Sequence, residues 1–137
     1  MHDSNSSLHR LRALVLLLLL SGALTARAVL YTNSTVSPWT NSAAWTGGVS
    51  LDTNNASTVI MLSGTASTTR TNDYDIVVLN QLHGNTTSLI LSGPGILRFT
   101  NAGAIVQNNV SGAFTINEKL EVTGVTTFRT TGTSPST

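Results

Sequence analysis

The chain has 137 residues, of which 40% are hydrophobic and only 9% charged, with seven Lys and Arg against six Asp and Glu and no Cys. That length suits one domain with a modest core. The absence of Cys excludes thiolate catalysis and Cys-ligated zinc, and the lack of any basic stripe argues against nucleic acid or anionic membranes as partners.

Residues 1–28 read as a secretory signal peptide. Arg10 and Arg12 make the leading segment basic, and Ala13 to Leu20 form an unbroken apolar run. Ala26-Arg27-Ala28 supplies the small-x-small pattern that signal peptidase reads, so cleavage is expected between Ala28 and Val29. A membrane anchor needs about 20 apolar residues, and here Ser21-Gly22 interrupts the run. The expected location is therefore secreted, extracellular or on the cell surface, with no membrane span in the mature chain. Removal of the leader leaves Arg70, Arg98, Lys119 and Arg129 against Asp52, Asp73, Asp75, Glu118 and Glu121.

Residues 29–56 form an irregular N-terminal capping segment. It contains both tryptophans, Trp39 and Trp45, six residues apart in a polar stretch. Trp has a large apolar area and one N–H to satisfy. Two roles are open: the pair closes one end of a β core, or it forms a stacking platform for a glycan.

Residues 57–124 carry short strand candidates punctuated by Gly and Asn. They are 58–62, 76–82, 88–91, 96–100, 104–107, 113–117 and 120–123. Apolar residues alternate in Leu89-x-Leu91, Leu97-x-Phe99, Phe114-x-Ile116 and Leu120-x-Val122, which places one face inward. Thr, Val and Ile favour strands, and Asn, Gly and Ser favour turns. No sustained helical periodicity follows the leader. The fold class is all-β, with a sandwich, a barrel and a β-solenoid open on this evidence. Residues 125–137 read as a frayed or truncated tail.

The succession Trp39-x5-Trp45-Thr46-Gly47-Gly48, Leu62-Ser63-Gly64, Thr71-Asn72-Asp73-Tyr74-Asp75-Ile76 and Ser88-Leu89-Ile90-Leu91-Ser92-Gly93 has a familiar form. It resembles the start of bacterial extracellular proteins carrying autotransporter-associated β-strand repeats. The resemblance implies a short-strand right-handed parallel β-helix, with a β-sandwich as the alternative. It also implies that the chain is a cap and the first rungs of a longer passenger.

Candidate chemistry is sparse. His83 precedes Gly84-Asn85 and reads as a turn residue. Asp73 and Asp75 flank Tyr74; on a strand they would share one face, and off a strand they belong to a solvated turn. Gly93-Pro94-Gly95 reads as a tight turn. Asn33, Asn55, Asn85 and Asn109 stand in glycosylation sequons, read here as chance in an Asn- and Thr-rich chain. No catalytic, cofactor-binding or metal-binding residue is assigned, and no cofactor is expected.

The sequence therefore leads to a non-catalytic structural or adhesive surface module. Its expected partners are surface glycans or cell-surface proteins, with end-to-end self-association. The rival readings are a polysaccharide-degrading enzyme and a carbohydrate-binding β-protein that uses Trp39 and Trp45. N-terminal sequencing of secreted material should begin at Val29; intact precursor retained in the membrane would contradict the leader assignment.

Overall fold

The computed structural model describes residues 28–64, 68–110 and 112–131. Residues 1–27 of the expected leader, including Ala26, and residues 132–137 of the expected tail lie outside the described residues. The described residues are all-β apart from one 3-10 turn, Ser42–Ala44. No helix among them is long and apolar enough to cross a membrane.

Among the described residues, nine strands build two sheets. They are β1 (Val29–Asn33), β2 (Thr58–Leu62), β3 (Thr69–Thr71), β4 (Ile76–Leu79), β5 (Gln81–Gly84), β6 (Leu89–Phe99), β7 (Ala104–Asn108), β8 (Phe114–Val122) and β9 (Thr126–Thr130). One sheet, here sheet A, runs β1-β2-β5-β7-β9. In sheet B, β3 and β4 both pair with β6, which pairs in turn with β8. Every ladder between these strands is parallel. An antiparallel sandwich would instead join neighbouring strands by hairpins.

From β4 onward the chain visits the two sheets alternately and returns to each after a little over twenty residues. Ile60, Leu82, Val106 and Phe128 are register partners along sheet A. Val77, Leu97 and Leu120 align in the same way along sheet B. The strand spacing near ten residues in the sequence is half of this longer period.

The period-2 alternation sets the core. Ile60, Leu62 and Leu82 of sheet A are fully buried, as are Val77, Leu79, Leu89, Leu91, Leu97 and Phe99 of sheet B, all in one apolar cluster. The aligned positions stack aliphatic on aliphatic from one strand to the next, the packing that a pleated surface rewards.

Several boundaries differ from the sequence reading. Residues 29–33 are a strand, not irregular chain. Val29, Tyr31 and Asn33 are aligned with Thr58, Ile60 and Leu62. Residues 126–130 are also a strand rather than a frayed tail, because β7 offers its outer edge along the whole segment. The candidate 76–82 divides into β4 and β5, with Asn80 as the corner between sheets. Gly93-Pro94-Gly95 is not a turn. It is a bulge inside β6, where the register with β8 shifts between Ser92 and Ile96.

The tryptophans close the N-terminal end. Trp39 is completely buried and Trp45 is 2% exposed. Their rings meet edge to face at 5.3 Å, Tyr31 packs on Trp45 at 5.9 Å, and Trp45 Nε1 donates to the Trp39 carbonyl at 2.8 Å. Trp39→Ala should therefore cost about 3–5 kcal/mol, the range for truncating a buried Trp, measured by urea unfolding. A loss below about 1 kcal/mol, the size usual for surface changes, would show that the ring does not support the core.

Candidate functional site

Outside the core, sheet A displays a row of polar side chains. Gln81 and His83 of β5 align with Ile105 and Gln107 of β7, and Gln107 aligns with Arg129 of β9. Asn85 and Asn109 follow directly, and their backbone amides donate to the Leu62 and Gly84 carbonyls. The strand pleat brings residues two apart onto this same outer face.

These side chains hold one another in place. Arg129 Nε donates to Gln107 Oε1 at 2.5 Å. Gln107 Nε2 donates to Asn109 Oδ1 and, at 3.4 Å, to Thr131 Oγ1. Asn109 Nδ2 donates to Asn85 Oδ1, and the His83 ring bonds Gln81 Oε1 at 2.8 Å. The result is a pre-ordered, nearly uncharged surface of amide groups across three strands. Burial, and then the positive charge of Arg129, hold the His83 imidazole below its ordinary pKa. His83 is thus a strand residue in a polar ladder and not the turn residue expected from its Gly-Asn neighbours.

A second polar feature lies inside. The alternation in β8, Phe114-x-Ile116-x-Glu118-x-Leu120-x-Val122, puts Glu118 on the core face. It reaches past β6 to Asn72, whose Nδ2 donates to Glu118 Oε2 at 2.7 Å. The bulge makes this possible. A Cβ on Gly93 would collide with the Asn72 carbonyl oxygen, and one on Gly95 with the Asn72 side chain. Two residues without side chains thus leave a passage between a buried carboxamide and a carboxyl group two strands away. Glu118 Oε1 is buried with no partner. Desolvation outweighs the bond from Asn72 and pushes the carboxyl pKa up to about 7.

The remaining candidates have structural surroundings. Asp73 and Asp75 lie in the bend between β3 and β4 and not on a strand. Asp73 accepts from Thr40 N at 2.9 Å and from Thr40 Oγ1 at 2.5 Å, tying the capping segment to sheet B. Trp39 and Trp45 are 0% and 2% exposed, so of the two roles open from the sequence their burial accords with closing the β core and leaves no ring face free for a glycan. The sequon residue Asn33 is buried and donates to the Ala44 carbonyl at 3.0 Å, so a glycan there is incompatible with this packing. Among the described residues no group of three or more His, Cys, Asp and Glu is placed to hold a metal ion.

The sequence reading missed both polar features. The ladder's signal was period-2 polarity in Gln81-x-His83-x-Asn85 and Gln107-x-Asn109. The interior site's signal was a charge on the apolar face of β8 and two glycines around Pro94. No family model, curated protein or solved structure matches the chain.

The raised Glu118 pKa sets a sign for pH dependence. The folded state binds this proton more tightly than the unfolded state, where the carboxyl has its ordinary value of 4.5. The contribution is fully present below that value and is lost as pH rises through about 7. Chemical denaturation of wild type against Glu118→Gln at pH 5 and pH 8 should show the variant gaining relative stability at pH 8. A pH-independent difference would contradict the assignment.

Proposed function

We propose that the chain is a non-catalytic structural and adhesive module of a secreted or cell-surface protein, built as rungs of a right-handed parallel β-helix. Alternating visits to two all-parallel sheets support the helical reading, and parallel crossovers are overwhelmingly right-handed. On this reading it is the N-terminal part of a longer autotransporter-like passenger, with the capping segment closing its first rung.

The observation that carries the adhesive reading is the outer ladder of sheet A. Its amides are already fixed by one another, so a partner rich in hydroxyl or amide groups meets a surface that loses little side-chain entropy on binding. Each contact is weak and repeated, and binding gains strength from many copies acting together. Surface glycans and the exposed polar faces of cell-surface proteins have this chemistry.

The test displays the purified chain at high density on beads and measures retention on immobilised bacterial and host-cell polysaccharides and on cell layers. Asn85→Ala combined with Asn109→Ala should lower retention at least tenfold without changing the far-UV circular dichroism. Full retention by that variant, or turnover of a polysaccharide by the wild type, would contradict the proposal.

A further inference from the structure

The hydrogen bonds of the outer ladder on sheet A all run one way. Arg129 Nε donates to Gln107 Oε1, Gln107 Nε2 to Asn109 Oδ1, and Asn109 Nδ2 to Asn85 Oδ1. The first donor is a cation, and each carboxamide passes its polarisation to the next. The series ends at Asn85 Nδ2, which meets no acceptor among the described residues.

His83 continues the pattern. Asn109 Nδ2 lies 3.4 Å from His83 Nδ1. A carboxamide nitrogen only donates, so Nδ1 accepts and the ring proton sits on Nε2. That proton goes to Gln81 Oε1 at 2.8 Å. The carboxamide oxygens of Gln81, Asn85, Gln107 and Asn109 thus each receive a hydrogen from within the ladder. The amide hydrogens of Gln81 and Asn85 and the two terminal nitrogens of Arg129 have no acceptor among the described residues. The face is left with donors.

Charge is distributed in the same sense. No strand of sheet A contains Asp or Glu, and Arg129 is the one Lys or Arg in them. Beyond residue 28 the carboxyl groups are Asp52, Asp73, Asp75, Glu118 and Glu121, in the capping segment, the bend before β4, and β8. The cation that heads the ladder has no carboxylate on its own sheet. β5 and β7 each have a strand on both sides, so the amide part of the face is built entirely within the described residues.

We propose that this face selects acidic polysaccharides by binding the carboxylate groups of their uronic-acid units. The inference rests on the adhesive reading above and names its ligand class. A carboxylate only accepts hydrogen bonds, whereas a neutral hydroxyl also has a hydrogen to place. On a row whose oxygens are already engaged, the carboxylate is the better match, and bonds to an ionised acceptor are roughly twice as strong as neutral ones. The free donors spread over about 10 Å across the strands and about 13 Å along β5. A chain of acidic units fills that span and engages several donors at once. The hydroxyl oxygens beside each carboxylate accept as well, which the methylenes of an acidic peptide cannot do.

The purified chain, displayed on beads as above, is tested for retention on immobilised polygalacturonate, on the same polymer with its carboxyl groups methyl-esterified, and on polyglutamate. Retention should be about tenfold higher on the free acid than on the ester and should fall as salt rises. Asn85→Asp keeps the oxygen that accepts from Asn109 and replaces the free amide hydrogens with negative charge. It should lose about tenfold on the free acid and little on the ester, with unchanged circular dichroism. Equal retention on acid and ester, lowered on both by Asn85→Ala with Asn109→Ala, would overturn the acidic preference and leave the adhesive reading standing. Retention on none of the three would overturn both. Polyglutamate held as well as polygalacturonate, or Asn85→Asp behaving as wild type, would overturn the assignment to acidic polysaccharides.

Discussion

A parallel ladder satisfies the backbone of its inner strands and leaves the outermost N–H and C=O groups without partners. Every other feature of this molecule follows from how those outer edges are managed. Strands with neighbours on both sides need only the right side chains, and the chain supplies them as alternating Val, Ile and Leu. The ends need something that is not a strand of the stack. At the N-terminal end that is residues 34–56, whose backbone meets β1, β3 and β4 at isolated points and does not add a full strand. Trp39 and Trp45 then fill the open core beneath it. The irregular, Gly- and Asn-rich composition of this segment suits a cap. Its backbone must turn repeatedly across the end of two sheets, and a regular strand could not.

The interior follows the same economy of space. Stacked strands at close spacing give each core position a neighbour directly above and below. A polar group can enter only if the neighbouring strand gives way. Gly93 and Gly95 do so, and Asn72 and Glu118 meet through the gap. This places a half-buried carboxyl group of pKa about 7 on the core-facing side of β8. A polar pair with one partner fully buried favours one register over its alternatives, because sliding either strand would leave Asn72 without its partner.

Much of the strand content was legible and the topology was not. Leu89-x-Leu91, Leu97-x-Phe99 and Leu120-x-Val122 declare their inward face by alternation alone. β1 and β9 did not, because Val29-Leu30-Tyr31-Thr32-Asn33 buries Asn33 and exposes Leu30, and Thr126–Thr130 has a single large apolar residue. Both are strands because a neighbouring edge is available, a tertiary cause invisible in a local window. The period was hidden for a similar reason. Ile60, Leu82, Val106 and Phe128 share only apolar character, so no motif repeats at their spacing. Trp39 and Trp45 showed that burial was needed but not whether a core or a ligand supplied it. The outer ladder depends on which residues two turns of chain bring side by side, and that is a matter of register.

The central claim is that the stack is closed at its N-terminal end by its own capping segment, while among the described residues nothing covers the outer edges of β8 and β9. Amide hydrogen exchange of the purified chain, followed by mass spectrometry, tests this most directly. Exchange through local opening is slow where both edges of a strand are covered and fast where one is bare. The amides of β2, β5 and β6 should be the slowest, β1 should be protected by the cap above it, and β8 and β9 should be the fastest of the strands. Protection that is equal at both ends, or β1 exchanging faster than β9, would contradict the account.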